Sequence, residues 1–348
     1  MSENSLPQGP TTPARVAIVT GGSRGIGRAT AQRLAADGFA VIVAYAGDRQ
    51  AADETVGAIA AAGGSAVAAR ADVADEHAVG ALFELAEQRF GGVDAVVHAA
   101  GRMTLAPIAD LDLDDLDALH RTNIRGTFVV AQAAARRLRA GGSLITFSSS
   151  VVVLAFAAYG AYAASKGAVE ALTLILAREL RGRDVTVNCV APGPTATALF
   201  LDGKDEETID RLAKQPPLER LGTPQDIAAV VAFLAGPDGH WVNGQVLRAN
   251  GGIVRCPGTS SWSPAPPSDH QPPAKEHTMP FANLKVPEGT VTEAQKRDLV
   301  EQVTQLYVAL YGERARANTM VLVDEVVDGG WGMGGHVLTR AMLQGDGS

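Results

Sequence analysis

Tyr162 and Lys166 have the side-chain types and the spacing for proton transfer. They lie four residues apart in the stretch Tyr-Ala-Ala-Ser-Lys, and side chains at that spacing meet on one face of a helix. A free phenol titrates near ~10, and an opposite charge within reach typically lowers such a pKa by about 1 to 3 pH units. The pair therefore predicts a proton donor whose pKa is depressed by its neighbour; a solvated helix face is the plainer alternative.

A serine and a glycine-rich turn accompany this pair. Ser149 lies thirteen residues before Tyr162 in Thr-Phe-Ser-Ser-Ser, between Ser148 and Ser150. Residues 20–27 read Thr-Gly-Gly-Ser-Arg-Gly-Ile-Gly, after an apolar run and before an alanine-rich helical stretch. Glycines in such a turn let the backbone approach a pyrophosphate, and the following helix aims its N-terminus at the negative charge. This context predicts a nucleotide site, whereas a lone glycine-rich turn would indicate only a loop.

Alternating strands and helices must position these residues. Apolar runs that predict strands lie near residues 16–20, 41–44, 66–69, 94–98, 143–147, 185–190 and 245–248. Their alternation with helical stretches predicts an α/β fold with a Rossmann-like doubly wound parallel sheet. The helix that carries Tyr162 is expected to continue over residues 169–180, and the more polar segment 198–220 is expected to form a mobile flap over a substrate.

Residues 13–254 resemble the short-chain dehydrogenase/reductase family. The resemblance rests on a glycine spacing wider than the standard dinucleotide fingerprint, and on the types and spacing of Asn123, Ser149, Tyr162 and Lys166. It implies an NADP-dependent oxidoreductase similar to the 3-oxoacyl reductases, acting on carbonyl or alcohol groups. In that family the tyrosine donates the proton and the serine stabilises charge on the substrate oxygen. The lysine binds the nicotinamide ribose and lowers the pKa of the tyrosine, and the asparagine positions a water.

The same resemblance implies a set of cofactor contacts. Besides Tyr162 and Lys166, the positions expected to contact the cofactor are Gly21, Ser23, Arg24, Gly25, Ile26, Gly27, Tyr45, Arg49, Asp72, Val73, Ala99, Gly101, Pro192, Gly193, Thr195 and Thr197. One stretch departs from the family pattern, because His-Ala-Ala-Gly at residues 98–101 replaces the usual Asn-Asn-Ala-Gly. We expect His98 to brace the sheet in place of the missing amide, and a catalytic role is the alternative.

The end of the second strand favours NADP(H) over NAD(H). An NAD-selective site has a carboxylate there, which accepts hydrogen bonds from the ribose and repels a 2′-phosphate. Here the strand ends in Tyr-Ala-Gly without an acid. Arg24 lies in the glycine turn and Arg49 lies just past the strand, and both could pair with a phosphate. Ordinary surface charge is the alternative for these arginines. A small loop shift that brought Asp48 to the ribose would favour NAD(H) instead.

Composition limits the classes of partner. The 348-residue chain has a net charge of −8 and 46 % hydrophobic residues, which argues against nucleic acid or an anionic membrane as a partner. Two cysteines, no apolar leader and no metal-ligand spacing favour a cytoplasmic protein without a metal. We expect a small-molecule substrate and a homo-oligomer, a dimer or tetramer. An enzyme is favoured over a non-catalytic NADP-binding sensor or scaffold, because the complete acid/base set is present.

The composition changes after residue 254. Residues 1–12 predict a disordered tail, residues 13–255 the main domain, and the proline-rich residues 256–279 a semi-rigid linker. In residues 280–348 order returns. The predicted elements there are a strand over residues 281–286, a capping box at residues 290–293, a helix over residues 295–311, a strand over residues 320–327 and a glycine-rich turn over residues 329–335.

Residues 280–345 resemble the 4-oxalocrotonate tautomerase family. The resemblance rests on Met-Pro at residues 279–280, on the strand that follows, on Pro-Glu-Gly at residues 287–289 and on the turn around Trp331. Members use a freed N-terminal proline as a general base, with arginines that bind a carboxylate. Pro280 is internal here, so we expect the tail to be inactive unless it is released. Thr290 replaces one expected arginine, and only Arg314 or Arg316 approximates another. The small unit is expected to raise the oligomeric state, because it cannot bury both of its faces alone.

Overall fold

Seven parallel strands form a single sheet in the first of two structural units. The computed structural model describes residues 14–254, 281–317, 319–327, 331–333 and 336–338, and the units are Met1–Ser261 and Trp262–Ser348. The strands of the first unit are β1 Val16–Thr20, β2 Ala40–Tyr45, β3 Ser65–Arg70, β4 Val93–His98, β5 Leu138–Phe147, β6 Val185–Pro192 and β7 Val246–Ala249. Their order is β3-β2-β1-β4-β5-β6-β7, which confirms the doubly wound sheet.

Helices connect the strands and cover both faces of the sheet. They are α1 Gly25–Ala36, α2 Arg49–Ala61, α3 Glu76–Phe90, α4 Leu113–His120, α5 Gly126–Arg137, α6 Val151–Leu154, α7 Gly160–Glu179, α8 Ala198–Leu201, α9 Glu206–Ala213 and α10 Pro224–Ala235. A π-helical turn, Arg121–Arg125, joins α4 to α5. Single turns of 3₁₀ helix occupy Ile108–Asp110 and Pro237–Gly239. No helix among the described residues has both the length and the apolar character needed to cross a membrane.

The inner strands and β2 have apolar runs because both of their faces are buried. Successive side chains of a strand point to opposite faces, so Val41 and Val43 join the core under α1, α2 and α10. Ile42 joins the core under α3, α5 and α7. The sheet order reverses where β1 meets β4, and the carboxyl ends of the strands leave a crevice at that point.

The turn after β1 requires glycine at two positions. Gly21 has a φ of +65°, and a Cβ there would lie 2.8 Å from the backbone nitrogen of Ala100. A Cβ on Gly27 would lie 2.1 Å from the carbonyl oxygen of Gly21. These close approaches let α1 begin directly beneath the turn, so its N-terminus faces the crevice.

The second unit contains a parallel strand pair, a helix and a short hairpin. Its elements are β8 Phe281–Pro287, α11 Glu293–Tyr311, a 3₁₀ turn Glu313–Ala315, β9 Met320–Val326, β10 Trp331–Met333 and β11 His336–Leu338. Strand β8 pairs in parallel with β9, and β10 pairs antiparallel with β11. Part of the predicted glycine-rich turn is therefore strand. Pro280, the predicted linker and the predicted N-terminal tail lie outside the described residues.

The predicted capping box of α11 was placed two residues too early. The Thr292 hydroxyl accepts a hydrogen bond from the Gln295 backbone nitrogen at 3.3 Å, and the Gln295 side chain accepts one from the Thr292 backbone nitrogen at 2.8 Å. Thr290 instead donates to the Pro287 carbonyl oxygen at 2.7 Å. Thr290 precedes Glu293 by three residues and Thr292 precedes Gln295 by three, so the sequence fits a capping box at either threonine. Because Thr290 is hydrogen-bonded in the turn after β8, Thr292 caps the helix.

Candidate active site

The four predicted catalytic residues come from three adjoining elements. Ser149 follows β5, Tyr162 and Lys166 lie in the first two turns of α7, and Asn123 lies in the π-helical turn. Ser149, Tyr162 and Lys166 line one cavity of about 160 Å³, which we call the catalytic cavity. Asn123 is buried behind it. The structure therefore brings the predicted set together around a single space.

Ser149 lies beside Tyr162 in this cavity. Burial raises the pKa of Tyr162 to about 12, and the neighbouring Ser149 hydroxyl acts in the opposite direction with a smaller effect. The prediction that Lys166 depresses the pKa of Tyr162 below its ordinary value is therefore wrong for the protein alone. The ammonium lies over the ring, with Nζ 5.7 Å from the ring centroid, and desolvation of the phenol is the largest influence on its pKa.

Lys166 is itself a buried cation. Its Nζ donates a hydrogen bond to the Phe147 carbonyl oxygen at 2.9 Å, and burial lowers the pKa of Lys166 to about 8. A Cβ added at Gly101 would lie 3.6 Å from this Nζ. The glycine that follows β4 therefore faces the lysine across the site.

Asn123 fixes the segment after β4 against α7. Its Oδ1 accepts from the Arg102 backbone nitrogen at 2.8 Å, and its Nδ2 donates to the Arg102 carbonyl oxygen at 2.9 Å and to Ser165 Oγ at 3.0 Å. The π-helical turn holds it there, because the Gly126 backbone nitrogen bonds the Arg121 carbonyl oxygen, five residues earlier. The role of Asn123 in positioning a water stays a prediction.

The contacts of the three serines distinguish Ser149 from Ser148 and Ser150. The sequence distinguishes them only by the spacing to Tyr162. Ser148 donates to Glu170 Oε1 at 2.7 Å. Ser150 accepts from Asn250 Nδ2 at 3.2 Å. Both neighbouring side chains are buried and partnered within the fold. Ser149 is the serine whose side chain acts on the pKa of Tyr162.

A second cleft, of about 620 Å³, adjoins the catalytic cavity and contains most of the predicted cofactor contacts. We call it the dinucleotide cleft. The predicted residues that line it are Gly21, Ser23, Arg24, Gly25, Ile26, Gly27, Tyr45, Asp72, Val73, Ala99, Gly101 and Thr197. Pro192, Gly193 and Thr195 line the catalytic cavity instead. Ile26, Ala99, Gly101 and Thr197 line both, so one extended ligand can occupy the two spaces.

Arg49 is the predicted contact that the structure does not place at either cavity. It lies in the first turn of α2, where its Nε pairs with Asp53 Oδ2 at 3.3 Å, and its side chain is 79 % exposed. Asp48, the competing acid, caps the same helix by accepting from the Ala51 backbone nitrogen at 2.9 Å. Arg49 and Asp48 therefore both make contacts within the first turns of α2. Arg70, which no sequence signal predicted, lines the cleft in place of Arg49.

Asp72 is ionised and paired within the dinucleotide cleft. The Ala74 backbone N–H lowers the pKa of its carboxyl group most, and burial opposes this. Arg121 adds to the lowering, with Nη1 2.6 Å from Asp72 Oδ2. One carboxylate of the cleft is thus neutralised by an arginine, and a contact between Asp72 and an adenine stays a prediction.

His98 braces β1 against β4, as expected from its replacement of the family amide. Its Nδ1 is 2.8 Å from the Thr20 hydroxyl, and the two residues are register partners at the ends of the strands. Burial lowers the pKa of His98 to about 3, so the ring is neutral. Because His98 lines neither cavity, the catalytic alternative receives no support.

The dinucleotide cleft fits a phosphorylated dinucleotide. The N-terminus of α1 has no acidic residue in its first turn and no side-chain cap, so its backbone N–H groups are available to a pyrophosphate. Within residues 14–254, no side chain pairs with the Arg24 guanidinium, which is exposed at the cleft. Among the described residues, no cluster of three or more His, Cys, Asp or Glu could hold a metal ion.

In the second unit the expected arginine site is incomplete. Arg316 pairs with Glu313 at 2.6 Å and lies 3.7 Å from Glu301, so acids of its own unit engage it. The side chain of Arg314 and all of Pro280 lie outside what the structure describes.

The sheet order, the glycine turn and the Ser149, Tyr162 and Lys166 side chains define a dinucleotide-dependent oxidoreductase of the doubly wound α/β class. The family model described as enoyl-(acyl carrier protein) reductase matches residues 21–254. A short-chain type dehydrogenase/reductase of Picea abies is 45 % identical over 253 residues, which cover 69 % of this chain and 92 % of that protein. The chain belongs to the short-chain dehydrogenase/reductase family.

Two further similarities concern this first unit, and one concerns the tail. An NADPH-dependent aldehyde reductase-like protein of Arabidopsis thaliana is 40 % identical over 270 residues, covering 73 % of this chain and 100 % of that protein. A short-chain dehydrogenase from Burkholderia cenocepacia, solved in complex with NADP, is 40 % identical with a TM-score of 0.65, and covers 69 % of this chain and 97 % of its own. A model described as tautomerase enzyme matches residues 280–341.

Proposed function

We propose that the protein is an NADPH-dependent carbonyl reductase in which Tyr162 donates the proton. One observation carries the proposal: the side chains of Ser149 and Tyr162, near enough for Ser149 to lower the pKa of the phenol, line an apolar cavity that adjoins the dinucleotide cleft. Two hydroxyl groups that line the same cavity can both reach one substrate oxygen. A carbonyl oxygen placed between them has a proton donor and a hydrogen-bond donor.

Each side chain has a separate task in the reduction. When bound, NADPH supplies the hydride that the carbonyl carbon accepts. Tyr162 donates its hydroxyl proton to the carbonyl oxygen, so an alcohol forms and a phenolate remains for solvent to reprotonate. Ser149 donates a hydrogen bond to the same oxygen and stabilises the developing charge, which for one well-placed donor lowers the barrier by about 3 kcal/mol.

The protonation states support reduction. With a pKa of about 12, Tyr162 keeps its proton at neutral pH, and the protonated phenol is the form that reduction consumes. Lys166, with a pKa of about 8, is mostly charged at neutral pH. Its ammonium lies over the Tyr162 ring and stabilises the phenolate that proton transfer leaves behind.

NADPH is the cofactor that the dinucleotide cleft and the relatives favour. Strand β2 ends in Tyr45 without an acid, and Asp48, which also lines the cleft, caps α2 through its Oδ1. Arg24 faces the cleft and can pair with a 2′-phosphate. The similar Arabidopsis protein is named for NADPH and the similar Burkholderia structure contains NADP, which supports the same preference here.

The catalytic cavity favours a carbonyl compound with an apolar body. Its apolar lining includes Met103, Leu154, Phe156, Tyr159, Leu199, Phe200 and Leu212. A volume of about 160 Å³ compares with the ~150 Å³ apolar cavity that accepts a benzene molecule in another protein. We therefore propose aldehydes and ketones that carry one aromatic ring or a short aliphatic chain. Part of this lining comes from α8 and α9, the segment predicted to be a flap.

A substrate panel tests the proposal. Oxidation of NADPH is followed with aryl aldehydes, aryl ketones, short aliphatic aldehydes, 3-oxoacyl thioesters, quinones and sugars, and kcat/KM is compared for NADPH and NADH. We expect turnover of the apolar carbonyl compounds and a preference for NADPH. Tight NADPH binding without turnover of any class would favour the sensor or scaffold alternative. Better use of NADH would show that Asp48 governs the ribose pocket.

The tail is proposed to serve assembly rather than tautomerisation. Within the chain, the Pro280 nitrogen is a tertiary amide without a basic lone pair, so it cannot act as a general base. The described part of the tail leaves large apolar side chains exposed, namely Leu306, Leu310, Met320 and Leu322. Exposed apolar surface of this kind is typical of an interface. Light scattering of the full chain and of residues 1–255 tests the assembly, since the full chain is expected to be the larger oligomer.

A further inference from the structure

Arg70 is an arginine of the dinucleotide cleft that no sequence pattern points to. It is the last residue of β3, and the strand register places it directly opposite Tyr45, the last residue of β2. Neighbouring strands lie about 4.8 Å apart, so the backbone of Arg70 lies beside the end of β2. The end of the second strand is where such folds read the 2′ position of the adenosine ribose.

The contact of Arg70 holds its side chain at the segment after β2 and leaves donors free. Its Nε donates to the Ala46 carbonyl oxygen at 3.1 Å, in the segment that follows β2. Within residues 14–254, no side chain pairs with the two terminal nitrogens of Arg70, and the residue is exposed along the cleft. An arginine has five N–H donors in a planar fork, so four of them remain for a ligand.

Four arginines, Arg24, Arg70, Arg102 and Arg121, and two acids, Asp48 and Asp72, line the dinucleotide cleft, and Arg102 also lines the catalytic cavity. Arg121 is paired with Asp72 at 2.6 Å, and Asp48 caps α2. Arg24, at the start of α1, lines the same cleft without a side-chain partner from residues 14–254. A phosphate monoester carries a charge of about −1.5 to −2 at neutral pH, which two arginines can balance.

We propose that Arg70 and Arg24 together bind the 2′-phosphate of NADPH, and that Arg70 takes the place the sequence assigned to Arg49. The inference rests on the proposed use of NADPH. Arg70 approaches the phosphate from the end of β3, and Arg24 approaches it from the glycine turn. The guanidinium of Arg70 is already oriented by Ala46, so little side-chain entropy is lost on binding.

Direct binding measurements on the full chain test this role without turnover. The dissociation constants of NADPH, NADH, adenosine 2′,5′-bisphosphate and adenosine 5′-monophosphate are measured for the wild type, Arg70→Gln, Arg70→Lys and Arg49→Gln. We expect Arg70→Gln to weaken NADPH and the bisphosphate at least tenfold, which corresponds to ~1.4 kcal/mol. NADH and the monophosphate should change less than twofold. Arg49→Gln, which removes an equal charge from outside the cleft, should leave all four constants unchanged.

Salt dependence and the lysine variant separate charge pairing from a structural role. Arg70→Lys keeps the charge but not the fork, so it should recover part of the lost affinity for NADPH. The dependence of NADPH affinity on salt should be weaker in Arg70→Gln than in the wild type. Equal losses for NADPH and NADH would overturn the proposal, because they would show that Arg70 only holds the segment after β2. Unchanged NADPH binding in Arg70→Gln would overturn it as well. A wild type that does not bind NADPH would instead refute the proposed function itself.

Discussion

Replacing Tyr162 by Phe is the sharpest test of the proposed chemistry. The substitution removes the hydroxyl group and keeps the ring, so the packing of α7 and the position of Lys166 over the ring are retained. Because the pKa of Tyr162 is about 12, nearly every molecule holds the acid in its protonated form at neutral pH. The replacement by Phe should therefore remove the full contribution of general acid catalysis.

The expected loss in kcat is about 10²- to 10⁴-fold. At ~1.36 kcal/mol per tenfold change, this corresponds to about 2.7 to 5.4 kcal/mol in the barrier. The apolar lining of the catalytic cavity disfavours a water that could replace the lost donor, so we expect the larger end of the range. The ground state changes little, because a hydrogen bond to the neighbouring Ser149 side chain would be worth at most about 0.5 to 1.5 kcal/mol.

The assay compares steady-state NADPH oxidation, with the best carbonyl substrate, against NADPH binding measured separately. Tyr159→Phe is the matched control, because Tyr159 lines the same cavity three residues earlier and also has a pKa raised by burial. It should lower kcat less than tenfold. Tyr162 would be a structural residue rather than the acid if Tyr162→Phe kept most of its turnover, or if it lost NADPH binding in parallel.

Three further predictions follow from the same site and from the tail. Ser149→Ala should lower kcat about 100-fold with NADPH binding unchanged, whereas Ser148→Ala, which removes a hydrogen bond to Glu170, should lower the thermal midpoint instead; equal effects on kcat would contradict the choice of serine. Burial lowers the pKa of Lys166 from 10.5 to about 8, so the folded protein releases this proton before the unfolded chain does, and the contribution of Lys166 to stability rises as pH increases from about 8 to 10.5. Carbon-13 NMR of labelled lysine should show one of the six lysine signals titrating near pH 8, and that signal should be absent from Lys166→Met. The full chain should fail to ketonise 2-hydroxymuconate, and any such activity should be confined to a chain that begins at Pro280, where the incomplete arginine site limits it. Activity of intact protein, verified as uncut by mass spectrometry, would contradict the amide argument.

Sequence patterns predicted the sheet well because buried parallel strands are continuous apolar runs. All seven predicted strands are found, and β2 extends over Ala40–Tyr45 where residues 41–44 were expected. The spacing of Tyr162 and Lys166 was also enough to predict that they lie on one face of a helix, because they are only four residues apart. Sequence patterns predict contacts well where the interacting residues are close in the chain.

What the sequence missed depends on distant parts of the chain. Arg70 reaches Tyr45 through strand pairing, and nothing within β3 indicates that partner. The raised pKa of Tyr162 results from burial, which the surrounding fold creates and a Tyr-Lys spacing cannot report. Arg49 was misjudged for a related reason: α2 begins at that residue and directs its guanidinium to Asp53.

The π-helical turn at Asn123 has a consequence for how this helix can evolve. One residue of an α-helix turns the chain by about 100°, and a π turn accommodates a single extra residue without breaking the helix. Deleting one residue between α4 and α5 would restore regular winding and rotate Asn123 away from Arg102 and Ser165, its partners at 2.8 and 3.0 Å. The α5 side of the turn could still pack against its core, so such a deletion would spare folding and disable the site. Among homologous chains, the number of residues from α4 to α5 should therefore vary less than the loop lengths elsewhere.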